Sequence, residues 1–279
     1  MKKVGIIGLG WTGLPLAHYL KNEGWYVTGS TTSDEKKLQI EEEGIEVVRL
    51  KMNPHPEGNG FQKLFDCEYI VVNIPPRSRV QSSDFYLEQL KYLKSMINQS
   101  GSKKVVFVSS TGIYPNESHS SFYDESFELN HENSGNSTLW DSEQMLLKNR
   151  EYQLSILRFG GLMGENRIPV KYFAGKENVT GHTRVNYLHL EDAIGSIAWI
   201  LENEKWEEIF NVVAPIHPKR KEIYEKNSMD LGLEAPISYE TEKVGADRLI
   251  SSEKIIEFGY KFKQPDPLKF KYNSDKLLD

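Results

Sequence analysis

Lys3-Val4-Gly5-Ile6-Ile7-Gly8-Leu9-Gly10-Trp11-Thr12-Gly13 runs from a continuous apolar segment straight into a G-x-G-x-x-G. A short apolar run without polar alternation reads as a strand covered on both faces. The glycines then fall where a strand must turn into a helix. The first permits the tight turn, the second lets backbone approach a pyrophosphate, and the third lets helix and strand pack closely. Amides at a helix N-terminus, aided by the helix dipole, favour such an anion. The pattern alone is weak, but its place between strand and helix points to a dinucleotide cradle.

Outward from this turn, strand and helix alternate. Helix is expected at 14–22, 33–43, 84–99 and 138–149, and strand at 3–7, 26–30, 45–48, 69–73, 104–109 and 154–158. Ser33-Asp34-Glu35 caps the second helix, which stops at Gly44, and Pro75-Pro76 ends the fourth strand. Further on, 185–188 and 210–213 read as strands, and 191–202, 220–231 and 252–258 as helices. The stretches 115–137 and 160–183 read as irregular. The alternation implies an α/β fold, a doubly wound parallel Rossmann sheet with a small C-terminal substrate lobe. We assign 1–160 plus 184–213 to an NAD(P)-binding Rossmann domain, and 161–183 plus 214–279 to a smaller substrate-binding lobe.

Composition narrows the function. The 279 residues carry 34 basic and 40 acidic side chains, a net charge of −6, with no basic run beyond local pairs. Nucleic-acid binding gets no support. No apolar stretch approaches a membrane span. The N-terminal apolar segment is glycine-broken and lacks a small-residue cleavage site, so it reads as strand rather than signal peptide. Cytoplasmic residence is the expectation. The single cysteine, Cys67, permits no intrachain disulfide and reads as a small core hydrophobe. Histidines and carboxylates show no metal-ligand spacing, so no metal is expected.

An NAD-binding cradle usually ends its second strand on an acidic residue that holds the ribose hydroxyls. Here that place reads Ser30-Thr31-Thr32-Ser33. Hydroxyls there accommodate a 2′-phosphate, with Lys36 or Lys37 adding charge, which favours NADP over NAD. The same residues also serve as helix caps. We assign Gly8, Gly10, Trp11, Thr12, Gly13, Ser30, Thr31, Thr32, Asn73, Ile74, Pro75 and Ser109 to cofactor binding. Arg77, just past the fourth strand, is either a phosphate neighbour or a solvated loop residue.

Several later segments resemble the extended short-chain dehydrogenase/reductases. Val108-Ser109-Ser110-Thr111-Gly112-Ile113-Tyr114 is similar to their SS-x-x-V-Y signature, and the segment from Leu157-Arg158 to Met163-Gly164 to their L-R-x-x-x-x-Y-G. Val185-Asn186-Tyr187-Leu188-His189-Leu190-Glu191-Asp192-Ala193 resembles N-x-I-H-V-x-D-x-A, and Phe210-Asn211-Val212 the following Y-N-V. The order and spacing match over nearly the whole chain, and the G-x-G-x-x-G spacing suits the atypical, NAD-dependent epimerase/dehydratase-like branch. The resemblance implies a nicotinamide cofactor and a small-molecule substrate such as a nucleotide sugar, handled by a monomer or homodimer. It also implies that His189 and Asp192 fix a helix start.

The family's Tyr-x-x-x-Lys is where this chain departs. Aligning on Glu143 puts Gly135 at the tyrosine and Leu139 at the lysine. That tyrosine is an acid/base whose pKa the lysine lowers. Tyr172–Lys176 and Tyr272–Lys276 match the spacing but precede no suitable helix. Ser110, by its spacing to Tyr114, matches the active-site Ser/Thr, and Tyr114 is the best remaining local proton donor, although in the family it usually packs structurally. Both are the catalytic candidates. Thr111 and Gly112 stand where dehydratases carry an acidic pair, which argues against dehydration. The chain is therefore read as an NAD(P)-dependent oxidoreductase or nucleotide-sugar epimerase-like enzyme. The alternative is a catalytically silent NAD(P)-binding sensor or scaffold. The opening residues also look like those of β-hydroxyacid dehydrogenases, but strand–helix–strand at 184–213 does not fit their all-helical second domain.

Overall fold

A computed structural model describes residues 1–76, 82–119, 121–242 and 245–272. Arg77 and Lys276 lie outside them. The elements are β1 Lys3–Ile7, α1 Gly13–Asn22, β2 Tyr26–Thr31, α2 Asp34–Glu42, β3 Glu46–Arg49, β4 Lys51–Asn53, β5 His55–Glu57, β6 Tyr69–Val72, α3 Ser83–Gln99, β7 Lys104–Ser110, α4 Ser137–Leu147, β8 Gln153–Phe159, β9 Gly161–Met163, β10 Tyr187–His189, α5 Leu190–Asn203, β11 Ile209–Val212, α6 Arg220–Leu231 and α7 Glu253–Glu257. Seven strands form one parallel sheet in the order β3-β2-β1-β6-β7-β8-β11. The register steps evenly, with Val4 beside both Val27 and Tyr69. This is the doubly wound α/β fold that the alternation implies.

Strand order reverses between β2 and β6, on either side of β1. All four residues of β6 are buried, as are the last four of β1, so neither strand alternates. Helix α3 starts where Ser82 Oγ accepts the Phe85 N–H at 3.3 Å. It buries Tyr86, Gln89, Leu90, Leu93 and Ile97, a stripe at helical spacing. Leu90 and Leu93 are fully buried among Ile70, Val72, Val105 and Phe107, each contributing about 1.5–3 kcal/mol of transfer free energy.

The described residues form two compact units: Met1–Ile113, Leu129–Arg158 and Ser196–Ile209 in the first, Tyr114–Glu128, Phe159–Gly195 and Phe210–Asp279 in the second. The second unit packs around Ile168, Val170, Val185, Ile223, Tyr224 and Phe270. Within it, β10 pairs in parallel with β9, an additional strand in a stretch that reads as irregular from sequence. His189 Nδ1 accepts the Glu191 N–H at 3.2 Å, and Nε2 faces the Lys271 carbonyl at 2.8 Å, which places the ring proton on Nε2. The fully buried Asp192 carboxylate accepts from Tyr260 Oη at 2.9 Å and from the Lys263 and Gln264 N–H groups, both at 2.8 Å. Both side chains are thus committed to holding backbone. Among the described residues no helix is long and apolar enough to cross a membrane.

Candidate functional site

In a doubly wound sheet, ligands bind beyond the carboxyl ends of the strands where the order reverses. Here the loops after β1 and β6 meet at that place. Gly8 holds φ +107°, a conformation that side-chain-bearing residues rarely adopt, and a Cβ on it would lie 2.7 Å from the Asn73 carbonyl oxygen. A Cβ on Gly13 would lie 2.1 Å from the Gly8 carbonyl oxygen, so the helix start and the strand end need glycine to pack. At Gly10 a Cβ would meet, beyond its chain neighbours, no atom of the described residues within 4 Å. The turn is tied down from both sides. Gly8 N–H donates to Ser30 Oγ at 3.0 Å, Leu9 N–H donates to the Ser30 carbonyl at 2.8 Å, and Asn73 Nδ2 donates to the Gly8 carbonyl at 3.3 Å.

A cavity of about 290 Å³ opens over this turn. Of the sequence-assigned cofactor residues it gathers Gly8, Gly10, Ser30, Thr31, Thr32, Asn73, Ile74 and Pro75. Trp11, Thr12, Gly13 and Ser109 do not line it. Thr12 and Gly13 are buried at the start of α1. Sequence reasoning missed Leu50, Lys51, Met52, Asn53 and Gln89, which line the same cavity. Lys51, Met52 and Asn53 form β4, paired antiparallel with β5 in a small hairpin after β3. Gln89, 8% exposed on α3, pins the hairpin by donating Nε2–H to the Met52 carbonyl at 2.6 Å. Only the polar Gln89 inside the apolar stripe of α3 hinted at this role.

The charge around the cavity is one-sided. Lys36 and Lys51 line it, and among the described residues no carboxylate does. Asp34, the first acid after β2, faces Arg49 at 3.5 Å instead. Lys37, the other cation considered from sequence, pairs with Glu41 at 3.5 Å along α2 and does not line the cavity. Ser33 caps α2, its Oγ accepting the Lys36 N–H at 3.3 Å. Of the four hydroxyl residues ending β2, three therefore face the cavity and one serves the helix.

The catalytic candidates lie elsewhere. Half-buried Ser110 accepts the Gly112 N–H on Oγ at 3.1 Å. A Cβ on Gly112 would stand 3.4 Å from that oxygen and 3.5 Å from Leu139 Cδ1, so an apolar side chain borders the space beside Ser110. Tyr114 is fully buried, and its hydroxyl donates to the Asp124 carbonyl at 2.9 Å and Asn211 Oδ1 at 3.0 Å. Its ring stands against Tyr123 at 5.5 Å. Its hydroxyl is thus engaged within the protein. Ser109 donates to Glu143 Oε1 at 2.6 Å, and Arg158 Nη2 donates to Glu143 Oε2 at 2.7 Å, an ion pair 7% and 1% exposed.

No family model matches the chain. Protein YeeZ of Escherichia coli (strain K12) is 34% identical over 271 residues, which cover 96% of this chain and 98% of that protein. Among solved structures, the UDP-glucose 4-epimerase of Thermus thermophilus in complex with NAD superposes with a TM-score of 0.80 at 16% identity, covering 100% of this chain and 99% of that one. Human epimerase family protein SDR39U1 (isoform 2) with NADPH superposes with a TM-score of 0.70 at 17% identity, covering 100% and 98%. At those identities the likeness is one of fold.

Proposed function

We propose, for a chain that belongs to the epimerase/dehydratase-like short-chain dehydrogenase/reductases and within them to the family of Protein YeeZ, an NAD(P)-binding oxidoreductase or nucleotide-sugar epimerase-like enzyme. The observation that carries the reading is the cavity over the glycine turn. Its floor includes Gly10, where no protein contact calls for glycine, and it sits where strand order reverses. With the Gly8 and Leu9 amides engaged by Ser30, the amides from Gly10 onward at the start of α1 would hold the diphosphate. Ser30, Thr31 and Thr32 would face the adenosine ribose. Among the described residues the lining holds no carboxylate, and with Lys36 and Lys51 present this supports NADP over NAD. A bound nicotinamide dinucleotide supplies hydride transfer. The protein's share is to bind it, and to offer the Ser110 hydroxyl to a substrate carbonyl or hydroxyl.

The substrate class rests on relatives whose structures carry sugar nucleotides in their names, such as the UDP-glucose 4-epimerase above. Thermal melting with NADPH and NADH tests the cofactor. A ligand at a hundredfold excess over Kd stabilises by about 2.7 kcal/mol. A melting temperature unmoved by either coenzyme would overturn the reading. Turnover is then sought with aldehydes, ketones and UDP-sugars.

One observation favours a second reading, a catalytically silent dinucleotide sensor or scaffold. Leu139 is apolar beside Ser110, and Tyr114 is committed to internal hydrogen bonds. Neither place offers a proton donor. Hydride transfer that disappears in Ser110→Ala, with coenzyme affinity intact, would eliminate it.

A further inference from the structure

We infer that Gln89 reads the base of the coenzyme, its carboxamide oxygen accepting from the exocyclic amine of adenine. The inference rests on the dinucleotide reading above and names the residue that sets the choice of base. Gln89 is 8% exposed and lines the cavity over the glycine turn. Its Nε2 donates to the Met52 carbonyl at 2.6 Å. That contact fixes which end of the carboxamide is which, because an oxygen in the same place would face an oxygen. Oε1 has no hydrogen-bond partner among the described residues. Nor is it sealed in the core: among the described residues, the buried side-chain atoms that lack a partner all belong to the second unit. Burying a carboxamide costs free energy unless its polar atoms are hydrogen-bonded, so an oxygen left open to a cavity points to a ligand that donates.

Adenine suits what Gln89 offers. A glutamine carboxamide pairs with this base by accepting from the exocyclic amine and donating to a ring nitrogen. Gln89 keeps Oε1 and its second Nε2 hydrogen for that purpose. Leu50, Met52 and Ile74 line the same cavity and supply apolar surface for a flat ring. The acceptor is also held in place. One turn earlier on α3, the buried Tyr86 donates Oη–H to the Ile74 carbonyl at 2.9 Å, so one helix fastens both Ile74 and Met52. An acceptor fixed in advance loses little freedom when the base arrives.

Fluorescence titration of the whole protein tests this, with NADPH or NADH, whichever binds tighter, against its hypoxanthine analogue. The analogue carries a carbonyl where adenine has the amine, so it sets an oxygen against Oε1. Wild type is expected to bind the adenine coenzyme about tenfold tighter. Gln89→Met, similar in length but without the acceptor, should bind the two about equally. A role limited to pinning the hairpin would weaken both alike and leave the tenfold ratio in place, which overturns the inference. So does a wild-type protein that binds the two equally, and this comparison decides the matter even if Gln89→Met does not fold. Either result leaves the dinucleotide site standing. Binding of no adenine coenzyme at all overturns the dinucleotide reading as well.

Discussion

Gly8 N–H donates to Ser30 Oγ at 3.0 Å, so the turn that follows β1 is fastened to the end of β2 by a side chain. The hydroxyl assigned from sequence to the ribose therefore has a prior task, holding the cradle in shape. Ser30→Ala removes the acceptor and leaves the Gly8 amide without it. The expected loss is about 1 kcal/mol of stability, roughly 2–4 °C in melting temperature for a chain of this size. Coenzyme affinity should fall together with stability, because the diphosphate relies on the same turn. A variant as stable as wild type would show that the contact does not hold the turn.

Glu143 sits at the centre of a buried network in the first unit, taking Ser109 Oγ–H at 2.6 Å and Arg158 Nη2–H at 2.7 Å. Glu143→Gln removes the buried negative charge that faces the Arg158 guanidinium. The cost of breaking such a pair is about 3–5 kcal/mol, readable as a shifted urea midpoint with unchanged slope. Replacing both partners with apolar residues of similar volume should restore much of the loss, since the remaining charge is what destabilises. Restoration would fail if the pair were needed as a specific hydrogen-bonded unit.

How much of this was legible follows from range along the chain. The glycine turn, the Ser33 cap and strands β1, β2, β3, β6, β7 and β8 were readable because each is specified by neighbours within a few residues. Asn73, Ile74 and Pro75 were readable because Pro75-Pro76 marks a strand end. The hairpin wall was not readable. Its strands have three residues each, and Pro54 and Pro56 disguise them. Gln89 reaches Met52 across 37 positions, and Ser109 reaches Glu143 across 34, distances over which pattern carries no information. Tyr114 illustrates the converse. Its hydroxyl meets the Asp124 carbonyl and Asn211 Oδ1, 10 and 97 positions away, an engagement that the motif does not show.

Glu204 gives the first unit an acid-sensitive joint. Burial pushes its carboxyl up, but hydrogen bonds from Lys104, Tyr69 and Trp206 outweigh this and hold it at about 2. Tyr69 Oη lies 2.6 Å from Oε1, and Lys104 Nζ and Trp206 Nε1 each lie 2.7 Å from Oε2. A lowered folded-state value means that the contribution is complete above the unfolded value near 4.5 and lost as pH falls toward 2. Because the side chain is 41% exposed, solvent screening limits the effect to about 1 kcal/mol. Glu204→Gln should be less stable than wild type by that amount at pH 7, and the two should converge near pH 2. Parallel stability curves for the two proteins from pH 7 to pH 2 would remove Glu204 from the account.

Gly10 and Gly13 separate the packing demands of the turn from its ligand. Gly13→Ala places a methyl 2.1 Å from the Gly8 carbonyl oxygen, within a strand–helix junction that has no room to yield. It should cost about 1–3 kcal/mol, the range for forcing atoms into a filled site, and should lower the melting temperature of the protein alone. Gly10→Ala adds the same methyl where, beyond its chain neighbours, no atom of the described residues lies within 4 Å. The free protein should melt as wild type does, since nothing folded opposes the group. If a diphosphate passes over this backbone, the methyl meets it, and both NADPH and NADH should bind at least tenfold more weakly, a change of about 1.4 kcal/mol. A Gly10→Ala protein that binds both coenzymes as tightly as wild type would mean that the glycine turn serves the fold and that the dinucleotide, if held at all, takes another path.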